Sequence, residues 1–207
     1  MFNLFRKKPK QLQQNIPQQY TPQQLGYIIA GGLHHHFSKD SFAKEEREHM
    51  RAAVVPEVDY WLASISLAGF SAEWAIVKLL AGRPERDFVR KGYWDGWQAF
   101  ASKSGVNYRA FQTYKVQKEA YAIATDKLEN QMAGTIGNPV VDQFMAFLAE
   151  NLDIDIYETT PIPHTDSARI TALYFLSNLA GQAIPDTYLE VASMVLTDGK
   201  LISTPQR

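Results

Sequence analysis

The chain has 207 residues, 45% of them hydrophobic and 21% charged, with a formal net charge of −1. That is room for one sizeable core, and the charge balance gives no global pull toward nucleic acid or an anionic membrane. Cysteine is absent, which rules out a disulfide framework, a thiolate metal site and a cysteine nucleophile.

The charge is unevenly spread. Residues 1–38 carry four basic residues and no acid, residues 39–125 carry 13 basic and 11 acidic residues, and residues 126–207 carry 4 basic and 11 acidic. A basic head and an acidic C-terminal third suit different neighbours. Glutamine-rich sequence follows the basic start where a secretory signal would need an apolar stretch, so no leader is expected. The longest uncharged apolar stretch, residues 60–72, has thirteen residues, short of the roughly 20 that span a bilayer. The expected location is cytoplasmic, including the inner face of a membrane.

In chain order, residues 1–20 read as a flexible basic and glutamine-rich arm, and 21–207 as a helical domain. Thr21-Pro22-Gln23-Gln24 sets a capping residue, a first-turn proline and a capping-box glutamine, which opens a helix to about residue 36. A second helix fits 41–55, stopped by Pro56. A third fits 57–68, ended by Gly69, and a fourth runs from Ser71 to 81. Gly82 and Pro84 separate it from a fifth, which reaches Ser104. Asn107 caps the longest candidate, 108–133, where Tyr114, Ala124, Tyr121 and Leu128 form a core-facing stripe. Asn138-Pro139 opens a helix to 152.

Residues 153–164 read as an extended edge or loop. Helices follow at 165–180 and 186–196, and Asp198-Gly199 suits a helix end or a small hairpin. The expectation is an all-α, compact multi-helix domain of eight or nine helices, with at most a trivial β-hairpin. A division into a larger lobe, 21–133, and a smaller acidic lobe, 138–207, joined at residues 134–139, fits the same reading. All four tryptophans fall within residues 61–97, alongside Tyr60, Phe70, Phe88, Tyr93 and Phe100, and that window marks the core.

Four constellations bear on function. Glu46 and His49 share a helix face, and a hairpin could bring one of His34–His36, taken as His35, beside them as a metal set. The alternative is a solvated, charge-rich helix with histidines favoured at a helix C-terminus. Phe2, Leu4 and Phe5 precede Arg6, Lys7, Lys8 and Lys10, a two-signal recipe for weak peripheral membrane contact or for docking on an acidic partner. Arg83, Arg86 and Arg90 fit one helix face that could meet an anionic partner, but Glu85 and Asp87 interleave and the overall balance argues against nucleic acid. Glu73 beside Trp74, and Asp95 between Trp94 and Trp97, are the carboxylates a glycan hydrolase would need, with nothing to fix their separation.

Phosphate-cradling, dinucleotide-binding, zincin and nucleophile-elbow motifs are absent. The expected function is a non-enzymatic protein–protein interaction protein: an adaptor, an immunity-type inhibitor or an assembly component. A protein partner or a second copy of the chain is expected, with no cofactor. The alternatives are a metal-dependent helical enzyme using Glu46 and His49, and a peripheral membrane protein anchored by residues 2–10.

Overall fold

A computed structural model describes residues 20–36, 42–130, 138–151, 164–197 and 200–201. Residues 1–19 of the expected arm (1–20), 134–137 of the expected joint (134–139), 153–163 of the expected extended stretch (153–164) and the Asp198-Gly199 turn lie outside the described residues. The architecture is all-α. Seven helices are described: α1 (Pro22–His36), α2 (Lys44–Ala53), α3 (Glu57–Leu79), α4 (Arg86–Ala101), α5 (Gly105–Glu129), α6 (Pro139–Asn151) and α7 (His164–Val195). A two-residue hairpin follows, with Leu196–Thr197 (β1) antiparallel to Lys200–Leu201 (β2).

Seven helices are described where eight or nine were expected, because two expected breaks are bridged. Gly69 does not end a helix; it lies inside α3, where a β-carbon would come within 2.6 Å of the Trp97 ring. Glycine here permits close packing between helices. Ser71 does not cap; its hydroxyl donates back to the Leu67 carbonyl at 2.9 Å, as a mid-helix serine can. Pro185 likewise sits inside α7 on an exposed position. Leu173, Leu176 and Ala180 before it, and Val191 and Val195 after it, are all buried in the same core, so packing carries the helix past the proline.

Several local signals operate as read. The Thr21 hydroxyl accepts from the Gln24 amide at 3.2 Å, while the Gln24 side chain accepts from the Thr21 amide at 2.9 Å. The Asn138 side chain accepts from the amides of Val140 and Val141. Ser104, rather than Asn107, caps α5, because its hydroxyl takes the Asn107 amide at 3.2 Å. Ahead of α4, Pro84 lies in a turn after Gly82 (φ +73°), and the helix begins two residues later.

α3 is the central helix. By length and composition it could cross a membrane, yet 78% of its most apolar window is buried inside the fold. It packs on α4, α5, α6 and α7, while α1 lies along α4. The α1–α4 contact is backbone on backbone. A β-carbon on Gly26 would fall 1.8 Å from the Val89 carbonyl oxygen, and one on Gly92 would fall 1.8 Å from the Gln23 carbonyl oxygen. Only glycine lets two helices approach so closely. One buried cluster extends from Leu25 to Val195 and contains Trp61 and Trp97. Trp74 and Trp94 pack on its edge, and Phe88 alone of the aromatic window is strongly exposed.

Candidate functional site

The two buried carboxylates, Glu46 and Glu73, accept hydrogen bonds from within the fold. The Glu73 carboxylate on α3 accepts from Arg90 Nε at 2.6 Å, from Trp94 Nε1 at 3.0 Å and from the Tyr114 hydroxyl. Burial alone would raise its pKa, but these three donors outweigh burial and hold the carboxyl below its usual range. Burial pushes the Tyr114 hydroxyl well up, and its ring stacks on Trp94 and Trp97. Asp95 instead accepts from the Gln23 side chain at 2.7 Å, which ties α4 to α1. Glu73 is thus held as an anion, whereas the acid of a glycan hydrolase must keep its proton.

The expected metal residues are placed separately. Glu46 is buried; one carboxylate oxygen accepts from the Ala43 amide at 2.7 Å and the other from the Tyr60 hydroxyl at 3.3 Å. Burial raises its pKa despite those bonds. The His49 ring stacks on Phe175 at 3.7 Å between centroids. His35 is exposed, and His34 turns inward, stacked on Phe100 at 3.7 Å and edge-on to Trp97. Burial, with Lys103 nearby, lowers the His34 pKa to about 3. Among the described residues no three His, Asp or Glu side chains gather as a metal ligand set.

The basic residues are likewise dispersed. Arg83 lies in the turn before α4, Arg86 pairs with neighbouring Asp87 at 3.1 Å, and Arg90 reaches Glu73. Phe2, Leu4, Phe5, Arg6, Lys7 and Lys8 lie outside the described residues.

The surface that stands out is the side of α5 facing α6. Val116 is 72% exposed and Ile123 is 58% exposed. Two clefts run end to end beside them. One, of about 280 Å³, is lined by Asp59, Leu62, Arg109, Thr113, Val116 and Phe147 among others. The next, of about 450 Å³, is lined by Ala120, Ile123, Lys127, Pro139, Asp142 and Ala146 among others. The walls mix apolar and polar groups, with Gln112, Gln117 and Gln143 among Val116, Ala120 and Phe147, and charged groups stand at both ends. An Arg109–Asp59 pair at 3.3 Å closes the outer end.

Sequence reasoning found the stripe of α5 that faces the core: Tyr114, Tyr121 and Ala124 are buried, though Leu128 is 37% exposed. It missed the second stripe on the opposite side. The signal was present as the seven-residue interval between Val116 and Ile123. No protein-family model matches the chain, and neither a curated protein nor a solved structure matches it.

Proposed function

We propose that this chain is a non-enzymatic protein-interaction protein, an adaptor, inhibitor or assembly component, that docks its partner on the α5–α6 face. The observation that carries this reading is the exposure of Val116 and Ile123 on one helix line, bordered by two clefts. Large apolar side chains arranged in a patch with a polar rim are a feature of interaction sites, whereas isolated ones are ordinary. The groups that would serve catalysis point the same way, since Glu46 and Glu73 spend their carboxylates on bonds within the fold.

The test is a quantitative affinity capture from the native cell with the full chain and with the double variant Val116→Asp/Ile123→Asp. A partner, or further copies of the chain, retained by the wild type and lost from the variant is the expected result. Identical captures by both proteins would overturn the reading.

A further inference from the structure

The exposed line on α5 has the spacing of a helix–helix seam. Arg109, Thr113, Val116, Ala120, Ile123 and Lys127 follow one another at alternating intervals of four and three residues. That alternation keeps one side of a helix against a neighbouring helix over several turns. Here it lies along the clefts beside α6.

The line is also self-complementary. The two large apolar residues flank a small one: Val116 precedes Ala120 by four residues and Ile123 follows it by three. Read backwards, the order is again large, small, large. Charge chooses the direction. Several α5 charges are engaged within the protomer: Arg109 pairs with Asp59, Glu129 pairs with Lys78, and the Lys118 ammonium lies over the Trp94 ring. Beside the exposed line stand Lys115 ahead of Ala120 and Asp126 after it. A second α5 running antiparallel lays Lys115 beside Asp126; a parallel one lays Lys115 on Lys115 and Asp126 on Asp126.

We propose that the α5 face is a two-fold interface between two copies of this chain, with the α5 helices antiparallel and crossing beside Ala120. The proposal rests on the interaction reading above and names the partner. Val116 of one protomer packs on Ile123 of the other, and the same contact recurs across the axis, as an isologous interface requires. The methyl side chain of Ala120 lets the helices approach at the crossing. Lys115, whose ammonium lies 5.0 Å from the Phe111 ring centroid, comes within a helical turn of the other copy's Asp126. The two Glu119 side chains come nearest each other, on the open side of the seam, and each has Lys115 one turn away on its own helix.

The absence of cysteine makes the register directly testable. In the full-length protein, Ala120→Cys should form a disulfide-linked dimer under mild oxidation. Val116→Cys alone should not, but a mixture of Val116→Cys and Ile123→Cys proteins should cross-link, and Leu189→Cys on α7 should remain monomeric. By sedimentation the wild type should be a dimer. Val116→Glu/Ile123→Glu should weaken it by more than about 100-fold, with unchanged helical circular dichroism because both positions are exposed.

A wild type that is monomeric up to its solubility limit would overturn the proposal, as would a dimer untouched by the double variant. Cross-linking through Val116→Cys alone would overturn the antiparallel register. A monomer that still captures a different protein through this face would sink the self-association and leave the interaction reading standing. A chain that captures nothing through it would sink both.

Discussion

Arg90 Nε donates to the Glu73 carboxylate at 2.6 Å across the α3–α4 contact, and the same carboxylate receives the Trp94 indole and the Tyr114 hydroxyl. One side chain thereby ties together three helices: Glu73 comes from α3, Arg90 and Trp94 from α4, and Tyr114 from α5. The Glu73 side chain is only 9% exposed, while that of Arg90 is 46% exposed. The buried acceptor therefore matters more than the half-solvated guanidinium, whose charge water screens. A carboxylate with three donors holds its environment in one arrangement, and losing it leaves the buried Tyr114 hydroxyl without its acceptor.

Glu73→Gln should therefore destabilise the protein by about 2 kcal/mol near neutral pH, measured by urea unfolding. The pH dependence has a definite sign. Folding lowers this carboxyl's pKa from its usual 4.5, so its contribution is complete above that value and is lost as pH falls through the lower folded-state pKa. The gap between wild type and Glu73→Gln should be constant above that pH and close below it. A gap that widens on acidification would show that the carboxylate is not held as an anion.

Glu46 should behave in the opposite way. Burial raises its pKa above the usual 4.5, so the contribution of its protonated form is present below that value and is lost as pH rises through the folded-state pKa. Glutamine keeps an acceptor for the Ala43 amide, so Glu46→Gln should gain stability relative to wild type as pH rises. Thermal unfolding across that range measures it; parallel curves for the two proteins would refute the assignment.

The glycines of the α1–α4 contact are separable from the others. Gly92→Ala should cost about 3 kcal/mol, because the new β-carbon meets the Gln23 carbonyl and the helices must part. Gly31→Ala, on the same α1 helix with nothing within 4 Å, should instead stabilise by about 0.5 to 1 kcal/mol. Chemical denaturation of the two variants side by side tests both. Equal effects would mean that α1 and α4 are not in backbone contact.

Val54 terminates α2 in the left-handed region, at φ 57° and ψ 38°. A β-branched residue is strained there. Its side chain is 64% exposed, so little packing compensates. Val54→Gly should raise stability by about 0.5 to 1 kcal/mol after the glycine's greater freedom in the unfolded chain is subtracted. An unchanged or lower unfolding midpoint would place the backbone of residue 54 elsewhere.

Features that depend on neighbours along the chain are legible in residue order alone. The all-α class follows from recurring apolar periodicity, and the N-termini of α1 and α6 follow from Thr21, Gln24 and Asn138, whose capping bonds span only two or three residues. The burial of Trp61 and Trp97 follows from their size and apolar surface.

Features that depend on residues far apart emerge only from the packed helices. Gly69 and Pro185 look like stops, yet both lie within helices, because packing against distant partners outweighs local propensity. Arg90 reads as part of an exposed basic face until Glu73, seventeen residues away, claims it. The expected metal set of Glu46, His49 and His35 comes apart for the same reason: His35 is exposed, His49 stacks on Phe175 and Glu46 accepts from Tyr60. The bare side of α5 became visible only once the core had claimed the other side, because the periodicity of a helix marks two stripes without saying which one a neighbour will cover.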